Sequence, residues 1–516
     1  MEQLKPESLD WALTHIQRFG DTDIFPVPFE YEAIKHSWSG LRDKLATIDI
    51  AAYECRSLHR TLVPKPKGGY RVAIQLDPID ALIYTASIYE AADVIEKQRI
   101  PAEQKVACSY RVQPDAKGQL FRTTNGWNDY HEKSQLLAES GKYNFVVVAD
   151  IADFYNQISH HRIENALEIA GVTPSRAKSI ERFLGNLTAL QSRGVPVGPT
   201  GSIVLAEACL SDVDLFLLRK GYTHTRYVDD FRIFCISRSQ AYSALHDLSE
   251  YLYTAHRLAL QSDKTKPLPV ESFLEEELFD PQKVEEQRKR DKINETLEAI
   301  FLSTGYVITE DDLPLVDIQH VVRENLVELF AGCLSTLPLP QGLARYLLRR
   351  GAILRTAVLQ EFVLNNLEVL SPVFRDAMLY LLRTSQAKTA TRIGSALVHF
   401  AKTSDLAFLP YLRMWLLHIL TEKFAIEFGP SITELCENTG DKLRVRPRAL
   451  LARELHHIDW VRVEKETWNN YGSWDKRAII WSARILPEDE RKYWLKNVAG
   501  AGDLLDAAVA KAAAEL

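Results

Sequence analysis

Between Thr223 and Ile236 the chain reads THTRYVDDFRIFCI, and few folds accommodate that stretch. β-Branched and aromatic residues alternate on both sides of Asp229 and Asp230, which predicts a hairpin with two acids at its tip. Adjacent carboxylates repel one another, so a fold that keeps them side by side usually supplies a cation. Bare oxygen ligands suit Mg²⁺ or Mn²⁺ rather than zinc. Taken alone, a solvated Asp-Asp turn accounts for the pair equally well. The rest of the chain decides between the two.

Upstream, Asn144 to Ala149 (NFVVVA) is an uninterrupted apolar run that predicts a strand buried on both faces. It ends in Asp150, and a carboxylate there is costly without a cation or hydrogen bonds. Phe154 and Tyr155 then lead into a helix. His160 and His161, which precede that helix, read as surface residues because no partner ligands stand at workable spacing. Next comes RGVPVGPTG, a loop rich in glycine and proline that begins at Arg193 and leads into an apolar helix stopped by Gly221. It matches neither the Walker nor the dinucleotide pattern. After the acidic hairpin a helix leads to LQSDKTK, which contains Lys264. Earlier still, LVPKPKGGYRVAIQL predicts two extended segments joined by a Gly68-Gly69 turn, with Lys65, Lys67 and Arg71 at the ends of the ribbon.

Composition narrows the function classes. The chain has 516 residues, 62 Lys+Arg against 69 Asp+Glu and a net charge of −7. Residues 1–270 carry 31 basic and 33 acidic side chains, and the remainder 31 and 36. Neither half has the basic footprint of a protein that grips long duplexes non-specifically. The six cysteines show no CxxC spacing, so neither a zinc site nor a disulfide framework is expected. The N-terminus lacks a signal-peptide design, and no apolar run is long enough to span a bilayer. A cytoplasmic protein without membrane contact is expected.

Three regions follow from patterning: 1–270 with mixed helices and strands, a charged connecting segment over 271–320, and 321–516 with helical periodicity throughout. Consecutive amphipathic helices with short connections in the last region predict a HEAT-like array, although no strict period is present.

In order, the chain offers a strand ending at Asp150, then Tyr155, RGVPVGP with its helix, YVDD, and LQSDKTK. That order and spacing resembles the A, B, C and D motifs of the reverse-transcriptase palm, preceded by basic fingers, over residues 60–270. RG-x-P-x-GP followed by LAE, with YVDD and a long helical C-terminal half, is similar to the abortive-infection (Abi) polymerases of the AbiK group. The likeness is greatest to the prophage-encoded members, through GPTGSIVLAEACL, RYVDDFRIF and WDKRAIIWSARILPEDERKYWLKN.

The resemblance implies an α+β fold: right-hand polymerase fingers and palm, then an all-α HEAT-like domain in place of a thumb. It implies catalytic and metal-holding roles for Asp150, Asp229 and Asp230, with two Mg²⁺ (or Mn²⁺) ions per site. Nucleotide contacts are implied for Lys65, Arg71, Tyr155, Arg193 and Lys264. Tyr155 corresponds to the bulky residue that excludes a 2′-hydroxyl, Lys65 and Arg71 to finger residues that neutralise the triphosphate, and Lys264 to a lysine assisting pyrophosphate departure. Arg193 stands where retron and group II intron enzymes have glutamine. The implied activity is untemplated addition of dNTPs, primed from a protein hydroxyl. Single-stranded DNA is then left covalently attached to a homo-oligomeric antiphage protein that responds to a phage trigger. Three alternatives remain open at this point. One is a template-dependent polymerase of retron or group II type, and another is a palm-derived scaffold whose helices bind a phage component. The third is a C-terminal nuclease built on Arg392 and His399, two turns apart on one helix in an R-x6-H arrangement that resembles HEPN ribonucleases.

Overall fold

The NFVVVA run becomes β3 (Phe145–Asp150), the strand around which a four-stranded antiparallel sheet is built. Its other strands are β4 (Thr223–Tyr227), β5 (Asp230–Cys235) and β6 (Lys266–Pro269), in the order β4-β5-β3-β6. The computed structural model describes residues 2–65, 68–122, 126–188, 191–278, 316–437 and 444–516. The connecting segment expected over 271–320 therefore falls largely outside the described residues. A separate two-stranded hairpin comprises β1 (His59–Pro64) and β2 (Tyr70–Gln75).

The chain divides into two compact units. The first comprises residues 1–23, 38–59 and 74–280, and the second comprises 24–37, 60–73 and 281–516. In the first unit, the helix Arg238–Tyr251 packs on β3 and β5, and the helix Gly126–Glu139 packs on β4 and β5. On the latter side the guanidinium of Arg232 lies 4.2 Å over the Tyr130 ring and donates to Ser134 Oγ at 3.0 Å, which gives a cation inside the core two partners. The helices Pro78–Gln98 and Thr200–Arg219 lie against each other and are mostly buried. The first begins where the Asp77 side chain accepts from Ile79 N–H, with proline at the first helical position. The two come close because Gly201 has no side chain: a Cβ there would meet Ile88 Cγ1 at 3.0 Å and Tyr84 Cε1 at 3.1 Å.

The described C-terminal residues of the second unit form consecutive helices from Val316–Ser335 to Leu504–Glu515. The core shared by the helices as far as Val445–Glu454 also takes in Phe25, Val63 and Ala73 from the two N-terminal segments of that unit. Glu30, fully buried, receives a bidentate pair from Arg446 at 2.7 and 2.8 Å and a further bond from Arg477 Nε at 3.2 Å. Burial alone would raise the Glu30 carboxyl; the two guanidinium groups hold it below its usual range instead. Among the described residues no helix is long and apolar enough to cross a membrane.

Candidate active site

Asp150 and Asp230 stand at directly facing register positions of β3 and β5. Asp229 is the next residue back along the chain, and its carbonyl accepts from Ile151 N–H at 3.3 Å. Three acids thus converge at one end of the central strand pair because β3 ends where β5 begins. Asp150 is anchored on its other side too: its carbonyl accepts from Gln261 N–H at 2.7 Å, and its amide lies 3.4 Å from Thr265 Oγ1. That segment brings in Lys264, whose ammonium donates to Asp150 Oδ2. Burial opposes the charge on Lys264, but the bond to Asp150 and the charges of Asp230 and Asp229 raise its pKa.

Electrostatic strain is visible at Asp230. Burial first, then the charges of Asp229 and Asp150, push its carboxyl up to about 7 against the counteracting Lys264 and Arg232. Three mutually repelling carboxylates with one lysine among them offer hard oxygen ligands, which fit a divalent cation of the oxygen-seeking kind. Among the described residues, the group whose ligand atoms all lie within 4.8 Å of one another is a different one, His246, Asp247 and Glu250. There Asp247 is already engaged by Lys220 and by Tyr222, whose hydroxyl is 2.8 Å away.

The glycine- and proline-rich loop docks on the segment after Asp150. Val195 N–H donates to the Tyr155 carbonyl at 2.9 Å, Gly194 N–H to the Ile158 carbonyl at 2.8 Å, and Ser159 pairs with Arg193 as an isolated bridge. Gly194 makes this possible with a φ of 93°, where a side chain would also crowd Asn156 O at 3.3 Å. Tyr155 and Arg193 therefore lie on two paired segments, the first of which follows Asp150. His160 corrects the expectation of two surface histidines: it is 1% exposed and its Nε2 bonds the Gly194 carbonyl at 2.7 Å. The sequence carries no trace of that carbonyl; His161 is exposed as expected.

Lys65 and Arg71 are exposed on the β1–β2 hairpin, in the second unit. Lys65 helps close its turn, donating from its amide to the Gly69 carbonyl at 3.1 Å. Arg392 is engaged by Glu361 and by Gln360 Oε1 at 3.0 Å, while His399 is exposed on the same helix, Ala387–Thr403.

One set of residues escaped the motif reading. Glu207, Asp214, Arg226, Arg99 and Ser109 are all nearly inaccessible, and they interlock behind the hairpin tip. Burial would raise the Asp214 carboxyl, but Arg226 beside it and His224 at 3.2 Å hold it well below the usual carboxylate range. The signal was present: Glu207 and Asp214 interrupt an otherwise apolar helix, and an acid that interrupts such a helix needs a buried partner.

Comparison with known proteins agrees with this geometry. Residues 63–277 match the family model described as reverse transcriptase (RNA-dependent DNA polymerase), so this part of the chain carries an enzyme domain of the nucleotidyltransferase class. A solved telomerase from Candida albicans, in complex with a TWJ fragment of telomeric RNA, aligns over 76% of this chain and 71% of its own. At 12% identity and a TM-score of 0.33, that likeness is too loose to support a functional argument. No curated protein matches the chain.

Proposed function

We propose that the chain is an antiphage DNA polymerase of the abortive-infection type, which adds dNTPs without a template from a protein hydroxyl and stays covalently attached to its single-stranded product. The observation that carries the polymerase reading is the facing of Asp150 and Asp230 with Asp229 alongside. These three would hold two divalent cations, Mg²⁺ or Mn²⁺. When bound, such ions favour ionisation of an attacking hydroxyl and stabilise a departing pyrophosphate. The remaining work falls to the chain. Lys264, already on Asp150, stands ready to meet negative charge leaving the site, and Tyr155 lines the place of the sugar. In this reading Lys65 and Arg71 meet the triphosphate.

The untemplated part of the proposal rests on Arg193, which occupies the position of a glutamine that serves the templating base in related enzymes. The near-neutral charge of both halves supports it as well, since a covalent tether removes the need for a basic duplex groove. The proposal places fingers and palm in 1–270, a connector in 271–320 and a HEAT-like array in 321–516, within a cytoplasmic homo-oligomer. A second reading, template-dependent synthesis, is favoured by the RNA-dependent DNA polymerase description of the matching family.

The test is incubation of purified protein with labelled dNTPs and Mg²⁺ or Mn²⁺, with no primer or template, followed by denaturing electrophoresis with and without protease. Label that travels with the protein and is released by protease supports the first reading, and label that appears only with a primer–template supports the second. Asp229→Asn is expected to abolish either signal while the protein stays folded; retained incorporation overturns the site assignment.

A further inference from the structure

The tip of the acidic hairpin is built on an unfavourable residue. Val228, which immediately precedes Asp229, has a φ of 56°. A β-branched side chain rarely enters the left-handed region, which at the first central position of a two-residue hairpin turn is normally left to glycine. Both backbone polar groups of Val228 are seized by buried side chains. Its N–H donates to Ser109 Oγ at 2.8 Å, and its carbonyl accepts from Arg226 Nη1 at 2.8 Å.

Neither clamp is free to move. Ser109 Oγ donates to Glu207 Oε1, and Glu207 Oε2 accepts from Arg99 Nη2 at 2.6 Å. Arg226 is fully buried, with Nη2 at 2.6 Å and Nε at 2.9 Å from the Asp214 carboxylate and Nη2 at 3.1 Å from Glu207 Oε2. Two guanidinium groups and two carboxylates thus form a compensated buried quartet, the arrangement in which charge can be kept inside a protein. The quartet is costly to bury, so a use for it is expected, and what it grips is the peptide unit leading into Asp229.

We propose that Ser109 and Arg226 are positioning residues for nucleotidyl transfer: by clamping both sides of Val228 they hold the turn in its left-handed form and so aim Asp229. This rests on the polymerase reading above. It makes a specific demand, because a clamp is needed only while residue 228 resists a positive φ. Glycine enters that region at no steric cost. Val228→Gly is therefore expected to restore what the loss of the Ser109 hydroxyl removes.

The experiment titrates Mg²⁺ and Mn²⁺ into wild type, Ser109→Ala, Ser109→Cys, Val228→Gly and the Ser109→Ala/Val228→Gly pair. It reads both the metal-induced rise in melting temperature and the rate of dNTP incorporation. Loss of a residue that orients a metal ligand typically costs about 10- to 100-fold in metal affinity or activity. Ser109→Ala is expected to raise the half-saturating metal concentration by about tenfold or more, Ser109→Cys by less, and the pair to return within about threefold of wild type. A merely structural serine would lower the metal-free melting temperature without moving the metal requirement, and that outcome overturns the proposal. A glycine that fails to rescue does so too. Should Ser109→Ala not fold, Ser109→Cys decides, with its own double variant. The thermal readout needs no turnover. Absent incorporation with intact metal binding therefore overturns the polymerase reading alone, and an unchanged metal requirement overturns the clamp alone.

Discussion

Asp230→Asn is expected to stabilise the protein when metal is withheld. Burial and the charges of Asp229 and Asp150 lift the Asp230 carboxyl from 3.8 to about 7. A carboxyl whose folded value exceeds its unfolded one contributes fully to stability only below about pH 4 and loses that contribution as pH rises through 7. Each tenfold step in acidity is worth ~1.4 kcal/mol, so a rise from 3.8 to about 7 makes the ionised group cost the fold up to about 4 kcal/mol at pH 8. Asparagine keeps the shape and removes the charge. For a unit of this size 1 kcal/mol moves the melting temperature by roughly 2–4 °C. In chelator at pH 8 the variant is therefore expected to melt about 5 °C or more above wild type, with the gap shrinking steadily toward pH 4. Added Mg²⁺ narrows the gap, since ligand at a hundred times its dissociation constant stabilises wild type by about 2.7 kcal/mol and the variant lacks one ligand. Calorimetry over pH 4–8, with and without Mg²⁺, checks both limbs. A variant no more stable than wild type at pH 8, or a gain independent of pH, refutes the picture of mutually repelling acids.

Tyr155→Ala is expected to admit ribonucleotides, measured as the ratio of rNTP to dNTP incorporation; an unchanged ratio removes Tyr155 from the sugar site. Glu30→Ala leaves Arg446 and Arg477 without their buried carboxylate, and such breakage costs about 3–5 kcal/mol. Denaturant midpoints of wild type and variant read that loss directly. Asp80, deeply buried beside Asp77, is pushed up to about 7 by burial and then by that neighbour's charge. Its contribution to stability is likewise full below about pH 4 and falls as pH rises to 7, and Asp80→Asn is expected to flatten that slope in urea titrations at pH 4.5 and 7.5.

The strands were legible because their chemistry is local. VVV ahead of Asp150 and the alternation around Asp229 specify extended segments whatever surrounds them. Which residues face one another was less accessible, since the Asp150–Asp230 pairing is a register set by whole strands. His160 was misread because its partner, the Gly194 carbonyl, lies 34 residues away. Val228 gave no hint of a left-handed turn, because its side chain argues against one and only the buried clamp overrides it. Nothing near Glu30 in the sequence marks it as buried, because its guanidinium partners lie 416 and 447 residues further on.

The membership of residues 24–37 and 60–73 in the second unit has a consequence for synthesis of the chain. Phe25, Val63 and Ala73 leave the ribosome early, yet the core they enter begins at Leu326 and extends to Leu451. Roughly 250 residues must follow Ala73 before the first of those partners exists, an interval of about 12 to 50 s at ordinary elongation rates. During that time Val63 and Ala73 lack every partner from Leu326 to Leu451. Truncation ahead of Leu326 would make that wait permanent, leaving Phe25, Val63 and Ala73 without the helices they pack on.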